Sequence, residues 1–177
     1  MQCLAATVLR AEPVAAALFA PFGQLITPVD DGVPWGAGDA HLVFDGAPIR
    51  FYLMRLRRRP STLIRLTRHL RCSQCLGSAD ARPWLLAVAA PTSAASTLAE
   101  AADRPPIAAA AVRLFRIEPQ MAVKLHPGTW HGGPLIREDE ATFFNLELAD
   151  TNLSDHEDRL LAQPLQLDLE QELPWAG

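Results

Sequence analysis

Two histidines and a glutamine are the residues of this chain best suited to chemistry. His69 ends the run Leu63–His69, Gln74 follows five residues later, and His131 lies far downstream in HPGTWHGG, residues 126–133. An imidazole can bind a divalent cation through a ring nitrogen or move a proton near neutral pH. A glutamine side chain offers a carbonyl oxygen. A single histidine is more often structural or solvated, whereas His, then Gln, then PGTWH is a more specific combination. Cys72-x-x-Cys75 is a weaker signal. A zinc site needs about four ligands, only Cys3 remains, and the strand-to-helix setting of a thioredoxin-like site is missing. The pair reads as small packing residues bracketing Gln74. Arg55, Arg57, Arg58 and Arg59 read as a solvated turn before Pro60, and His156, among Asp155, Glu157 and Asp158, as a surface residue.

Side chains alternate along a strand, so Leu63, Arg65, Thr67 and His69 share one face, and Ile64, Leu66 and Arg68 the other. Pro127 and Gly128 make a turn that delivers Trp130 and His131 onto a following strand. Strand-like segments are expected at Gly23–Thr27, Ile49–Leu56, Thr62–His69, Trp84–Ala90, Val112–Ile117, Met121–His126 and Ala141–Leu148, with Pro, Gly, Asp or Ser between them. Short helices are expected at Glu12–Ala20 and at Asp155–Leu161, the second with Ser154 as its N-cap. Residues 30–40 read as a Gly- and Pro-rich loop over a pocket mouth. The Ala-rich stretch 94–111 holds at most a helical turn before Asp103. The 15 prolines punctuate short strands, the pattern of an all-β barrel or sandwich.

The 177 residues suffice for one hydrophobic core, and the expectation is a single domain over 1–177. Apolar residues at 49% and charged ones at 20% are globular composition. A net charge of −4 argues against nucleic acid as a partner, since phosphates need a basic face. No apolar run approaches the roughly 20 residues that span a bilayer. The N-terminus does not read as a signal peptide, and three cysteines do not suggest a disulfide framework. A cytoplasmic protein is the expectation.

The spacing of His69, Gln74 and His131 resembles the ligand rhythm of the cupin barrel. More narrowly, LTRHLRCSQCL (66–76), WLLAVAAP (84–91) and KLHPGTWHGGPL (124–135) resemble the ureidoglycolate lyase (ureidoglycolate hydrolase) family, as do FAPFGQLI (19–26) and DGAPIRFY (45–52). The resemblance implies a mostly-β, cupin-type double-stranded β-helix, or jelly-roll barrel, with one or two short helices. It also implies a homodimer acting on a small hydroxy- or oxo-acid, releasing urea from ureidoglycolate to leave glyoxylate. Carried over, the family's Arg-His pair is Arg68-His69, its Gln is Gln74, its Trp-His is Trp130-His131, its preceding His is His126, and its early Arg is Arg50.

His69, Gln74, His131 and His126 are then the catalytic candidates, with Arg68 and Trp130 at the substrate. The implied cofactor is a divalent transition metal. Where the family carries Glu, this chain has Thr67, a poor ligand beside carboxylate or imidazole, which reduces the metal set to His69, Gln74 and His131. The family's second His after Trp-His is Gly132 here, and its late Asp-Arg falls at Glu147-Leu148. Urea elimination also needs a cation for the substrate carboxylate, and Arg50 and Lys124 are the candidates. The alternatives are a cupin that binds a small carboxylate without turnover, or a different metal-dependent cupin enzyme. Phe143 and Phe144, on opposite faces of Ala141–Leu148, imply cover on both sides and hence a partner chain, with Arg68 in the interface.

Overall fold

The computed structural model describes residues 7–92 and 104–169. In chain order the strands are β1 (Thr7–Leu9), β2 (Ala11–Pro13), β3 (Gly23–Ile26), β4 (Ile49–Arg57), β5 (Thr62–Arg68), β6 (Gln74–Ser78), β7 (Trp84–Ala89), β8 (Arg113–Ile117), β9 (Ala122–Leu125), β10 (Trp130–Leu135), β11 (Glu140–Leu148) and β12 (Glu157–Leu167). Single helical turns occur at α1 (Ala16–Phe19) and α2 (Thr151–Ser154). The strands form a seven-stranded sheet, β1-β12-β5-β10-β7-β8-β2, and a five-stranded sheet, β3-β9-β6-β11-β4. The two sheets face each other as a nearly closed barrel of the cupin type. No helix among the described residues is long and apolar enough to cross a membrane.

Alternation decides what each strand buries. From the larger sheet Trp84, Leu86, Val88, Phe115 and Ile117 point inward. They meet Leu56, Leu76, Val123, Leu125 and Phe143 of the smaller sheet. Phe19 and Phe22 close this core, Phe19 lying edge-on to Phe115 at 5.4 Å between ring centroids. Burying such a side chain stabilises the fold by roughly 1.5–3 kcal/mol. A second core, on the outer face of the larger sheet, collects Leu66, Ala87, Ala89, Leu114, Trp130 and Leu165. The inner core fills only part of the barrel, and the remaining interior is the cavity described below.

Two helical expectations give way to strands. Ala11–Pro13 pairs in parallel with β8, so the helix expected over Glu12–Ala20 shrinks to one turn, Ala16–Phe19. The helix expected over Asp155–Leu161 is replaced by the start of β12, which pairs with β5 from Glu157↔Arg68 to Leu160↔Arg65. The buried Leu165, Leu167 and Leu169 alternate with Gln166 and Asp168, a strand period. Pro164, lacking an N–H, falls where the β12 register shifts between Leu160 and Leu165. In the Ala-rich stretch, Ala109–Ala111 forms a 3-10 turn, and residues 94–103 lie outside the described residues.

Candidate active site

The inner face of β5 and its neighbours assembles the site. Thr67 lies directly opposite His131 of β10, and His69 follows two residues on, so both imidazoles enter the barrel from adjacent strands. Their ring centroids are 5.2 Å apart. His69 Nδ1 lies 2.5 Å from the Asp155 carbonyl oxygen, and His131 Nδ1 lies 3.1 Å from that of Thr129. A carbonyl only accepts, so Nδ1 carries the proton in both rings and each Nε2 keeps a lone pair. Asp155 is itself fixed, its carboxylate accepting the Leu70 and Arg71 backbone N–H groups at 2.7 and 2.8 Å. Burial lowers the His69 pKa, and burial with the neighbouring His69 pushes His131 down to about 3. Both rings are neutral at pH 7.

Gln74 opens β6, across from the histidines, and belongs to a buried polar wall. Its Nε2 donates to Glu147 Oε2 at 3.0 Å and to Asn145 Oδ1 at 3.3 Å. Asn145 Nδ2 donates to Glu147 Oε2 at 3.2 Å and to the Tyr52 hydroxyl at 3.0 Å. That hydroxyl donates to Glu147 Oε1 at 3.2 Å. The Glu147 carboxylate, 2% exposed, therefore receives three donors, which is what keeps a buried charge tolerable. Burial, followed by the charge of Glu147, raises the Tyr52 pKa. Gln74 Oε1 is buried with no donor, an acceptor left open.

A third imidazole joins from the last strand. His156, just before β12, has its ring centroid 5.7 Å from that of His69. Its Nε2 lies 3.3 Å from Asp158 Oδ1, the same oxygen that accepts the Thr67 hydroxyl at 2.5 Å. His69, Gln74, His131, His156, Glu147, Asp158, Arg59 and Arg65 all line one cavity of about 580 Å³.

The structure thus brings His69, Gln74 and His131 together and turns Arg68, Trp130 and Lys124 away from the cavity. Arg68 and Trp130 point to the opposite face of their strands, as alternation requires. Arg68 Nε and Nη2 donate to Glu157 Oε2 at 2.8 and 2.6 Å, Nη1 donates to the Thr92 carbonyl oxygen at 2.6 Å, and the guanidinium lies 4.5 Å over the Trp130 ring. Arg68 is a buried ion pair within its own chain rather than a substrate or interface residue. Lys124 is in register with Cys75, on the outer side of the smaller sheet, and its Nζ donates to His126 Nδ1 at 2.9 Å. His126 Nε2 donates in turn to the Ala20 carbonyl oxygen at 3.3 Å; neither residue lines this cavity, but His126 lines a separate small void together with His69, Gln74 and His131. Arg50 is exposed but shares the inward phase of Tyr52, standing directly across from Glu147 with its guanidinium stacked 3.5 Å over the Tyr52 ring, at the edge of the polar wall. Residues 30–40 contribute nothing to the cavity lining. They turn instead toward β3, where Gln24 Nε2 donates to the Asp39 carbonyl oxygen. Gly132 faces outward, where a Cβ would come within 2.8 Å of Leu63 Cδ1 and 2.9 Å of Leu66 Cδ2. Cys72 and Cys75 are free thiols, with burial pushing Cys75 up to about 11.

Sequence reading missed Glu147 with its Asn145 and Tyr52 partners, Arg59, and the His156–Asp158 pair. The inward phase of Tyr52, Asn145 and Glu147 follows from alternation. That they meet Gln74 depends on the pairing of β11 with both β4 and β6.

The donor set suits a divalent transition metal in kind, with imidazole Nε2 atoms from His69 and His131 and the open amide oxygen of Gln74. Thr67 is not available to it, its hydroxyl being engaged by Asp158. Among the described residues no three His, Cys, Asp or Glu side chains already close on one metal-sized point. No curated protein matches the chain significantly. The profile of the ureidoglycolate lyase family matches residues 6–168, nearly the whole chain, and the chain belongs to that family.

Proposed function

We propose that this protein releases urea from ureidoglycolate, leaving glyoxylate. The observation that carries the reading is the meeting, in one cavity of a ureidoglycolate lyase family member, of two neutral imidazoles and a buried carboxylate–amide wall. The reaction moves one proton and breaks one bond. The substrate hydroxyl loses its proton, its oxygen electrons form the carbonyl, and the C–N bond breaks with its pair remaining on the ureido nitrogen. That nitrogen then takes up a proton and urea departs. Glu147, a carboxylate lining the cavity and held in place by three donors, is the residue we assign to carry the proton from oxygen to nitrogen; such acid–base assistance contributes typically 10²–10⁴-fold. The open acceptor of Gln74 suits the N–H groups of the ureido end. Arg59, at the cavity wall, suits the substrate carboxylate, for which a guanidinium offers a bidentate fork. A divalent transition metal held by His69 and His131 would supply Lewis acidity toward the hydroxyl.

The test is urea release from ureidoglycolate by the purified, metal-supplemented protein. The expected result is turnover in the wild type and a loss of at least about 100-fold in Glu147→Gln and in His69→Ala. Absence of urea release from folded wild-type protein overturns the reading. Glyoxylate binding without turnover would then favour the carboxylate-binding alternative.

A further inference from the structure

The three histidines of the cavity share an arrangement that the substitution at Thr67 explains. Metal-ligating histidines almost always have their second ring nitrogen held by a carbonyl or carboxylate, which fixes the tautomer and aims the other nitrogen. His69 is held by the Asp155 carbonyl and His131 by the Thr129 carbonyl, and His156 Nε2 lies 3.3 Å from the Asp158 carboxylate. Asp158 stands directly across from Thr67 in the β5–β12 register and takes the Thr67 hydroxyl on the oxygen that faces His156. The position whose acidic side chain the family resemblance makes a ligand therefore now orients a carboxylate behind a third imidazole.

We propose that His156 is the third protein ligand of a three-histidine site with His69 and His131, taking a borderline divalent metal such as Zn²⁺, Co²⁺ or Ni²⁺. Imidazole favours these ions, while Mg²⁺ and Ca²⁺ prefer oxygen. His69 and His131 stand in the barrel wall, and the His156 ring, its side chain 41% exposed, lies beside them with its centroid 5.7 Å from that of His69. Nε2 faces Asp158, so the ligating atom of His156 is Nδ1. The Thr67 hydroxyl stays outside the coordination shell and acts as a positioning group through Asp158. The proposal rests on the reading of this cavity as the active site, and not on which substrate it turns over.

The experiment titrates Co²⁺ into the chelator-treated full chain, followed by visible absorption and calorimetry, with circular dichroism confirming the fold of each variant. One Co²⁺ per chain is expected in the wild type. His156→Ala should weaken binding by at least about 100-fold, and Asp158→Asn by about 10-fold, as loss of an orienting partner does. Thr67→Glu in the His156→Ala background should recover most of the lost affinity by returning a carboxylate ligand from β5. Wild-type protein that binds no Co²⁺, or a folded His156→Ala protein that binds it as tightly as wild type, overturns the assignment. Metal binding lost in His156→Ala while wild type releases no urea would retain the site and discard the reaction. Urea release unaffected by His156→Ala would do the reverse.

Discussion

The burial of His131 makes an acid-stability prediction with a definite size. The ring is 7% exposed and sits between β5 and β7, with its pKa pushed down to about 3 from an ordinary 6.5. The folded-state value is the lower one, so between pH 6.5 and 3 the unfolded chain binds a proton that the native chain refuses. Stability from this group is therefore intact above pH 6.5 and is lost as pH falls toward 3. Each pH unit well inside that window costs about 1.4 kcal/mol, and going from pH 7 to pH 5 costs about 2 kcal/mol once the rounding near 6.5 is included. His69, also lowered by burial, titrates in both proteins of a wild-type and His131→Gln comparison and cancels to first order. Urea denaturation in chelator-containing buffer at the two pH values measures the difference. Wild type should lose about 2 kcal/mol more than His131→Gln between pH 7 and pH 5. Equal losses would mean that His131 is protonated without penalty in the native state, and would refute the neutral-imidazole description of the site.

Three further outcomes are expected. Arg68→Met should destabilise the fold by about 3 kcal/mol in chemical denaturation. The guanidinium is fully buried while Glu157 is 31% exposed, which places the cost at the lower end for breaking a buried pair; a change under about 1 kcal/mol would contradict this. Arg59→Ala should raise KM for urea release about 10-fold with kcat and stability nearly unchanged, as loss of a charged hydrogen bond at binding does, and an unchanged KM would remove Arg59 from the site. If the expected homodimer forms, the outer face of the smaller sheet, where Phe51 (66% exposed) stacks on Phe144 (45%) beside Leu53, is the apolar surface it would cover; light scattering should then give twice the chain mass for wild type and the single mass for Phe144→Asp, and a monomeric wild type would sink it.

Local periodicity made the inner half of the site legible. Alternation along Leu63–His69 is enough to send Thr67 and His69 one way and Arg68 the other, and the turn at Pro127–Gly128 delivers His131 to the neighbouring strand. The same rule argues against the family-derived substrate role for Arg68, because adjacent residues of a strand cannot both face the barrel interior. Alternation also separates Phe143, in the inner core, from Phe144, on the exposed face. Periodicity does not say which strands are neighbours. Tyr52, Gln74 and Glu147 are widely separated in the chain, and only the order β6-β11-β4 joins them into one wall.

His156 and Asp158 were lost to a different error, one of element type. A helix over Asp155–Leu161 capped by Ser154 puts the charged cluster in solvent, and the acidic neighbours of His156 fit that picture. A strand beginning at Glu157 instead lays the cluster along β5, so that each residue acquires a cross-strand partner: Glu157 takes Arg68 and Asp158 takes Thr67. The cue was the alternation of leucines at 165, 167 and 169, a period that a helix does not produce. Once β12 is in place, Thr67 stops being a missing ligand. A threonine is the right size to donate to a carboxylate directly across an antiparallel pair. Thr67 and His156 thus meet at one carboxylate, that of Asp158, which takes the Thr67 hydroxyl and faces His156 Nε2 with the same oxygen.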